Sequence, residues 1–406
     1  MRTTTAQRLS VVAGACLLAL ATGCGTSSGG DQPSSDSGGV AAFTPPDVPM
    51  QESIGDPEGR VSILAWPGYA EDGSTDKSVD WVTPFEKQSG CQADVKYFST
   101  SDEAVKLMGT GEYDVVSASG DASLRLIASG DAAPVNTDLL ENYGDIESFL
   151  KDRSWNSVDD QMYGVPHGWG ANLLMYNLDV VRDAPNSWGA VFDGADKYKG
   201  KVTAYDSPIY IADAALYLSK SKPELGIKDP YSLTSEQLDA AADLLKKQRE
   251  NIGEYWSDYT KEVQAFESGT SVIGTTWQVI ANLIGTDNKV QVNTVLPKEG
   301  ATGWSDTWMV GAKAAHPNCM YKWMDWITSP EINAQVAEYF GEAPGQTKAC
   351  DFTTEKDFCD IFHATDADYA AQIHYWTTPQ KQCVDGSGDN CTTYDEWVTK
   401  WQQIKG

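Results

Sequence analysis

Val61-Ser62-Ile63-Leu64-Ala65-Trp66 is a short apolar run set between Gly59-Arg60 and Pro67-Gly68. Its length and flanking turn residues suit a buried strand. Working outward, a helix-like run lies near Asp80 to Gln88, a second strand pattern runs from Ala93 to Phe98, a helix begins near Ser101, and Tyr113 to Val116 is the next strand. Strand and helix in alternation predict a mainly parallel, doubly wound sheet. Thr100 with Glu103, and Thr234 with Gln237, stand at capping-box spacing ahead of helices. In the second, Leu238, Ala241, Ala242 and Leu245 fall on one face and read as core packing.

Two further stretches mix glycine with aromatics: Met162-Tyr163-Gly164-Val165-Pro166-His167-Gly168-Trp169-Gly170 and Glu299-Gly300-Ala301-Thr302-Gly303-Trp304-Ser305-Asp306. They read as an outward and a return crossover between two α/β lobes. Such a pair of crossings creates a cleft, and ligands of open α/β folds sit outside the carboxyl ends of the strands.

Of the 406 residues, 41% are hydrophobic, ample for two medium cores, and 58 acidic against 30 basic residues give a net charge of -28. That charge repels phosphate backbones and excludes counterion-driven nucleic-acid binding. It favours cationic ligands and keeps an exported chain in solution.

Arg2 and Arg8 precede the apolar run Leu9 to Ala21, too short for a spanning helix, so residues 1–23 read as a signal peptide. The run ends in Leu20-Ala21-Thr22-Gly23-Cys24, which resembles a bacterial lipobox and implies a lipid on Cys24. Ala21 stands where Leu is usual, which leaves ordinary cleavage as the alternative. Residues 24–59, rich in Ser, Gly, Pro and Asp, read as a lipidated cysteine and flexible tether. Gly25-Thr26-Ser27-Ser28-Gly29 fits G-x-S-x-G formally, but a tether supplies neither the strand nor the helix that motif needs.

Cys91, Cys319, Cys350, Cys359, Cys383 and Cys391 remain, an even set in an oxidising compartment. Six cysteines allow about fifteen pairings. Short-loop pairs Cys350 with Cys359 and Cys383 with Cys391 would leave Cys91 for Cys319. Catalytic motifs are scarce: no H-E-x-x-H, no P-loop, no G-x-G-x-x-G after a strand. No metal or cofactor is expected. His316, His363 and His374 lack ligand spacing, and His167 reads as a structural donor or acceptor.

The aromatic content is high, with 14 Trp and 18 Tyr. Trp66 and Tyr69 follow the first strand, Trp277 follows the apolar run Ser271 to Thr276, and Trp304 precedes Asp306 by two residues. In an extended segment that spacing puts indole and carboxylate on one side, a seat for an alkylammonium.

From about Val61 onward the chain resembles the spermidine/putrescine-binding proteins of ABC importers. The resemblance rests on Leu64-Ala65-Trp66-Pro67-Gly68-Tyr69, Tyr113-Asp114-Val115-Val116-Ser117-Ala118-Ser119, Tyr163-Gly164-Val165-Pro166 with Trp169-Gly170, Val272-Ile273-Gly274-Thr275-Thr276-Trp277, and Pro297-Lys298-Glu299-Gly300 with Trp304-Ser305-Asp306. It implies a type II periplasmic-binding-protein fold, each lobe a mainly parallel sheet flanked by helices, with residues 60–165 and about 305–345 in lobe 1 and residues 166–304 in lobe 2. Residues 346–406 are expected as a disulfide-rich segment packing across both. It further implies a monomer, exported and anchored at the extracellular or periplasmic face, that binds a polyamine, works with ABC permease subunits and catalyses nothing. Aromatic contacts carry over to Trp66, Tyr69, Trp277 and Trp304, a hydroxyl to Ser119 and the amine-binding acid to Asp306. The family's acidic pair in lobe 2 aligns with Ser207 and Tyr210, a departure that draws attention to Asp121, Asp206 and Glu342 as substitute carboxylates. A sugar-binding importer component and a secreted hydrolase with paired carboxylates are the alternatives.

Overall fold

The computed structural model describes residues 43–285 and 290–406. The signal peptide, Cys24 and the first part of the tether lie outside the described residues.

Among the described residues the strands, numbered in chain order, are β1 (Arg60–Ala65), β2 (Gln92–Tyr97), β3 (Val115–Ala118), β4 (Ala132–Ala133), β5 (Ser157–Val158), β6 (Gln161–Met162), β7 (Gly164–Ala171), β8 (Leu173–Asn177), β9 (Val202–Tyr205), β10 (Ile252–Trp256), β11 (Ile273–Thr276), β12 (Val292–Val295), β13 (Ala301–Gly311), β14 (Ala343–Pro344) and β15 (Ile373–Tyr375). The first sheet has the order β14-β7-β13-β3-β1-β2, with β4 and β15 also paired to β13. β1 is parallel to both β2 and β3, the arrangement the alternation of strand and helix predicts. Central β3 is buried throughout, as its apolar Val115-Val116 requires, while edge strand β2 alternates exposed and half-buried residues. The second sheet runs β10-β9-β11-β8-β12, parallel across β10, β9 and β11 and antiparallel at β8 and β12. Two α/β sheets are as expected, but each is mixed rather than mainly parallel: in the first, β13 runs antiparallel to β3, β4 and β7, and β14 to β7, because the long strands β7 and β13 lie side by side in opposite directions.

The lobe boundaries fall several residues from the expected ones. β7 stays in the first sheet to Ala171, because Gly303 pairs with Ala171 and Met309 with Gly164 along one long antiparallel ladder. The outward crossing therefore sits at Asn172, and the return is complete by Ala301, so residues 166–171 and 301–304 belong with lobe 1. A correction also applies to the tether. Residues 43–59 lack regular structure but lie along the body: Phe43, Val48 and Ile54 pack against the cores. The Glu58 carboxylate accepts from the amides of Asn318 (3.0 Å) and Cys319 (2.9 Å) at the start of helix Pro317–Ile327. That seats an anion on an otherwise unsatisfied helix end.

Thr234 and Gln237 form the reciprocal capping box of helix Ser235–Arg249. Thr100 accepts from Glu103 N, but Glu103 turns its carboxylate to Ser99 N instead. Disulfides join Cys91 to Cys319, Cys350 to Cys359 and Cys383 to Cys391. The C-terminal segment touches both lobes: β15 lines up with β13, and helix Tyr394–Lys405 packs on helix Ser235–Arg249. Among the described residues no helix is long and apolar enough to cross a membrane.

Candidate ligand-binding site

The segments that follow β1, β3, β9 and β11 supply several of the candidate side chains, at the carboxyl ends of strands where ligands of open α/β folds sit. After β1 the chain turns through Gly68, whose φ of 99° suits glycine, and Tyr69 N donates back to Trp66 O at 3.3 Å. That turn buries the Tyr69 ring against His167 (4.3 Å between ring centres) and Phe340 (4.4 Å). Trp66 donates its indole N–H to Ser119 Oγ at 3.2 Å, joining the ends of β1 and β3.

On β13, Trp304 and Asp306 share a face and lie opposite Gly170 and Gly168 of β7. Both glycines are spatial requirements. A Cβ at Gly170 would run into the Trp304 indole, and one at Gly168 would land inside the Glu342 carboxyl group. Between Asp306 and Thr307 the ladder slips by one residue, so β7 carries His167 as an extra residue there. Such bulges redirect side chains; here the imidazole is fully buried beside Tyr69, with Nδ1 3.5 Å from Glu342 Oε1.

Glu342 arrives from another direction. Helix Pro330–Phe340 stops at Gly341 in the left-handed region (φ 85°), which turns the next side chain inward. The Tyr69 hydroxyl then lies 2.8 Å from Asp306 Oδ2 and 2.9 Å from Glu342 Oε2. Burial pushes the Asp306 carboxyl up to about 6, against the hydroxyls of Ser119 and Tyr69 and with the help of Asp121. Burial first, then the Asp306 charge, raises Glu342 well above the carboxylate range. Burial lowers His167 to about 3, so the imidazole is neutral at physiological pH. Asp306 Oδ1, Glu342 Oε1, Trp304 Nε1 and both His167 ring nitrogens are buried without a hydrogen-bond partner.

The opposite wall is aromatic. Tyr205, at the end of β9, stacks on Trp376 (5.6 Å, 16°) and leans on Trp277 (5.6 Å). Trp277 donates to Asn172 Oδ1 (3.0 Å) at the crossover and meets Trp304 edge to face at 6.1 Å. Asp121, buried in the first turn of helix Gly120–Ser129, accepts from Ser101 Oγ at 2.8 Å. Burial pushes it up to about 6, opposed by Ser101 and Arg125. Burial also raises the Tyr205 phenol, with Asp121 and Asp306 both contributing, which places Tyr205 within the field of the two acids.

The structure brings Trp66, Tyr69, Ser119, Asp121, Trp277, Trp304, Asp306 and Glu342 to this region. Ser207 and Tyr210 do not join them. Directly after β9 the chain enters a helical turn at Pro208 that continues into helix Ile211–Ser221. Ser207 caps that turn, accepting from Ile209 N, and Tyr210 is buried in the lobe 2 core between Phe192 and Trp401 with Gln248 on its hydroxyl. Asp206 is held by Trp401 Nε1 (3.2 Å) and Lys405 Nζ (2.6 Å). Sequence reasoning missed Tyr205 and Trp376. Tyr205 ends a strand, a signal open to use; Trp376 arrives from a distant segment that offers none. Among the described residues no group of three or more His, Cys, Asp or Glu side chains is placed to hold a metal ion.

A family model described as bacterial extracellular solute-binding protein matches residues 80–359, more than half of the chain. The putrescine/agmatine-binding protein of Pseudomonas aeruginosa is 25% identical over 298 residues, covering 68% of this chain and 79% of that protein. The putrescine-binding periplasmic protein PotF of Escherichia coli is 24% identical over 276 residues, 64% of this chain and 72% of that protein. Among solved structures, the spermidine/putrescine ABC transporter substrate-binding protein PotD of Streptococcus pneumoniae superposes with a TM-score of 0.66 at 18% identity, over 86% of this chain and 100% of that one.

Proposed function

Because the chain belongs to the bacterial extracellular solute-binding proteins, we propose that it captures a small cationic solute, a polyamine of the putrescine or spermidine kind, and delivers it to the permease of an ABC importer. The relatives that bind putrescine and agmatine or putrescine support this reading. The observation that carries it is the Asp306 carboxylate beside the Trp304 indole, both buried, on one face of β13. An ammonium there faces an ionised oxygen and a π surface out of water, where a cation–π contact contributes about 1 to 2 kcal/mol and a charged hydrogen bond about 1.5 to 3. Contacts of one ligand with both lobes favour the closed arrangement over an open one. The lipobox-like Leu20 to Cys24 supports anchoring through Cys24, with the body acting as a monomer on the outer face of the membrane. Binding and release are its whole chemistry.

A thermal-shift screen of the soluble chain lacking the lipid anchor, against polyamines, amino acids, betaines and sugars, tests the reading, since a ligand of the folded state raises the melting temperature. A polyamine should give the largest shift. A response to sugars alone would replace the amine with a neutral solute.

A further inference from the structure

Tyr69 makes two short contacts with carboxyl oxygens, yet a phenol has one hydrogen to donate. If Asp306 and Glu342 were both ionised, one contact would set acceptor against acceptor, with two like charges converging on one oxygen. One carboxyl must therefore hold a proton and donate it to the Tyr69 oxygen.

The neighbours identify which. Trp66 donates into Ser119 Oγ, which leaves the single Ser119 hydrogen free to face Asp306. Asp306 thus has two hydroxyls as neighbours, those of Ser119 and Tyr69, where Glu342 has that of Tyr69 alone, and hydroxyl neighbours favour the ionised form. The titratable groups facing Glu342 are Tyr69 from the turn after β1, His167 from β7 and Asp306 from β13. His167 is neutral and, at 3.5 Å, outside hydrogen-bond range. The lobe 2 residue packed at Gly341 is Val279, which is apolar. Glu342 is completely buried and, among the described residues, has no cation beside it, so it is the carboxyl that keeps the proton.

We propose that Glu342 enters the site as a neutral acid that donates to Tyr69, which in turn donates to Asp306, so that this end of the cleft carries one negative charge and seats one ammonium group. Glu342 is then a positioning residue that orients the Tyr69 hydrogen. Its Oε1, like Asp306 Oδ1, is buried without a hydrogen-bond partner and offers the ammonium a neutral acceptor. The inference rests on the amine-binding reading of Asp306 and sets the charge of that subsite.

Infrared spectra of the ligand-free chain at about pH 7.5, above the ordinary carboxyl range, test the proton directly. Glu342→Gln should remove a protonated-carboxyl C=O band. If it removes carboxylate intensity instead, the proposal falls. Selective 13C labelling of Glu in the unaltered chain reads the same proton by NMR without a variant. Calorimetry with putrescine supplies the second arm: Glu342→Gln, whose amide N–H replaces the acid O–H, should bind within about threefold of the original, whereas Glu342→Ala and Asp306→Asn should each lose about tenfold or more. A loss in Glu342→Gln equal to that in Asp306→Asn would mean the charge itself is needed and overturn the proposal. If the unaltered chain binds no amine, the functional reading fails, while the spectra still decide where the proton sits.

Discussion

Lys405 Nζ lies 2.6 Å from Asp206 Oδ2, so helix Tyr394–Lys405 closes over the carboxylate that follows β9. Asp206 ties that helix to lobe 2, with Trp401 on its other oxygen, rather than facing the cleft. Asp206→Asn should therefore leave ligand affinity within about threefold. It should lower stability by about 1 kcal/mol or less, because the ion pair is partly exposed. Calorimetry and thermal unfolding of one variant read both.

Trp304→Ala and Asp306→Asn should each weaken binding of the amine found in the screen at least about tenfold, through loss of the π face and of the ionised acceptor respectively. Trp304→Phe, which keeps a smaller π face, should fall between the original and the alanine variant in the same titration.

Amine affinity should follow pH in one direction. Asp306 and Asp121 are each pushed up to about 6 by burial. Below that value protonation removes the attraction, so affinity should fall by up to about tenfold per pH unit and level off above it. Stability of the ligand-free chain runs the other way. Between the ordinary value of 3.8 and about 6 the folded state holds these protons more tightly than the unfolded state, so stability is full below 3.8 and lost as pH rises through 6. Melting temperatures with and without ligand should therefore diverge as pH is raised from about 5 to 7.5.

Asp213 sits on helix Ile211–Ser221, buried, with Oδ1 unpartnered, and burial pushes it up to about 8 against a hydrogen bond from Thr302. Its ionisation cost accrues as pH rises from 3.8 toward 8. Asp213→Asn should then match the original chain near pH 4 and exceed it near pH 8, by a gap on the order of a few kcal/mol in denaturant unfolding. Equal stability at both pH values would show that the carboxyl is solvated.

The Cys91–Cys319 bond closes a loop with a sequence separation of 228, against 9 and 8 for the other two disulfides. Chain entropy assigns about 5 kcal/mol to the long loop and about 2.5 kcal/mol to each short one. Replacing both Cys91 and Cys319 by Ser should thus lower the unfolding midpoint more than either C-terminal pair does.

Much of this arrangement is legible in the residues themselves. The apolar runs of β1 and β3 and their intervening helices define a parallel sheet by local pattern. The two-residue spacing of Trp304 and Asp306 puts both on one face whatever the rest of the chain does. Trp376 is not legible, because its neighbour Tyr205 lies far away in sequence and only the closed fold brings the rings together. Ser207 and Tyr210 mislead for a related reason: position after β9 matches the family's acids, but Pro208 starts a helical turn at once and points Tyr210 into the core. Residues 43–59 look like a linker in composition, since the few apolar anchors and one helix-capping glutamate that hold them act singly rather than periodically.

The contact of Gly168 with the Glu342 carboxyl makes these two positions interdependent. Any relative that carries a side chain at the first has no room for an acid folded flat at the second, and must hold its amine with a different group there. Across related chains the pair should vary together, with an acid at the second position only where the first is glycine, so that one bare backbone position governs the chemistry available at the neighbouring one.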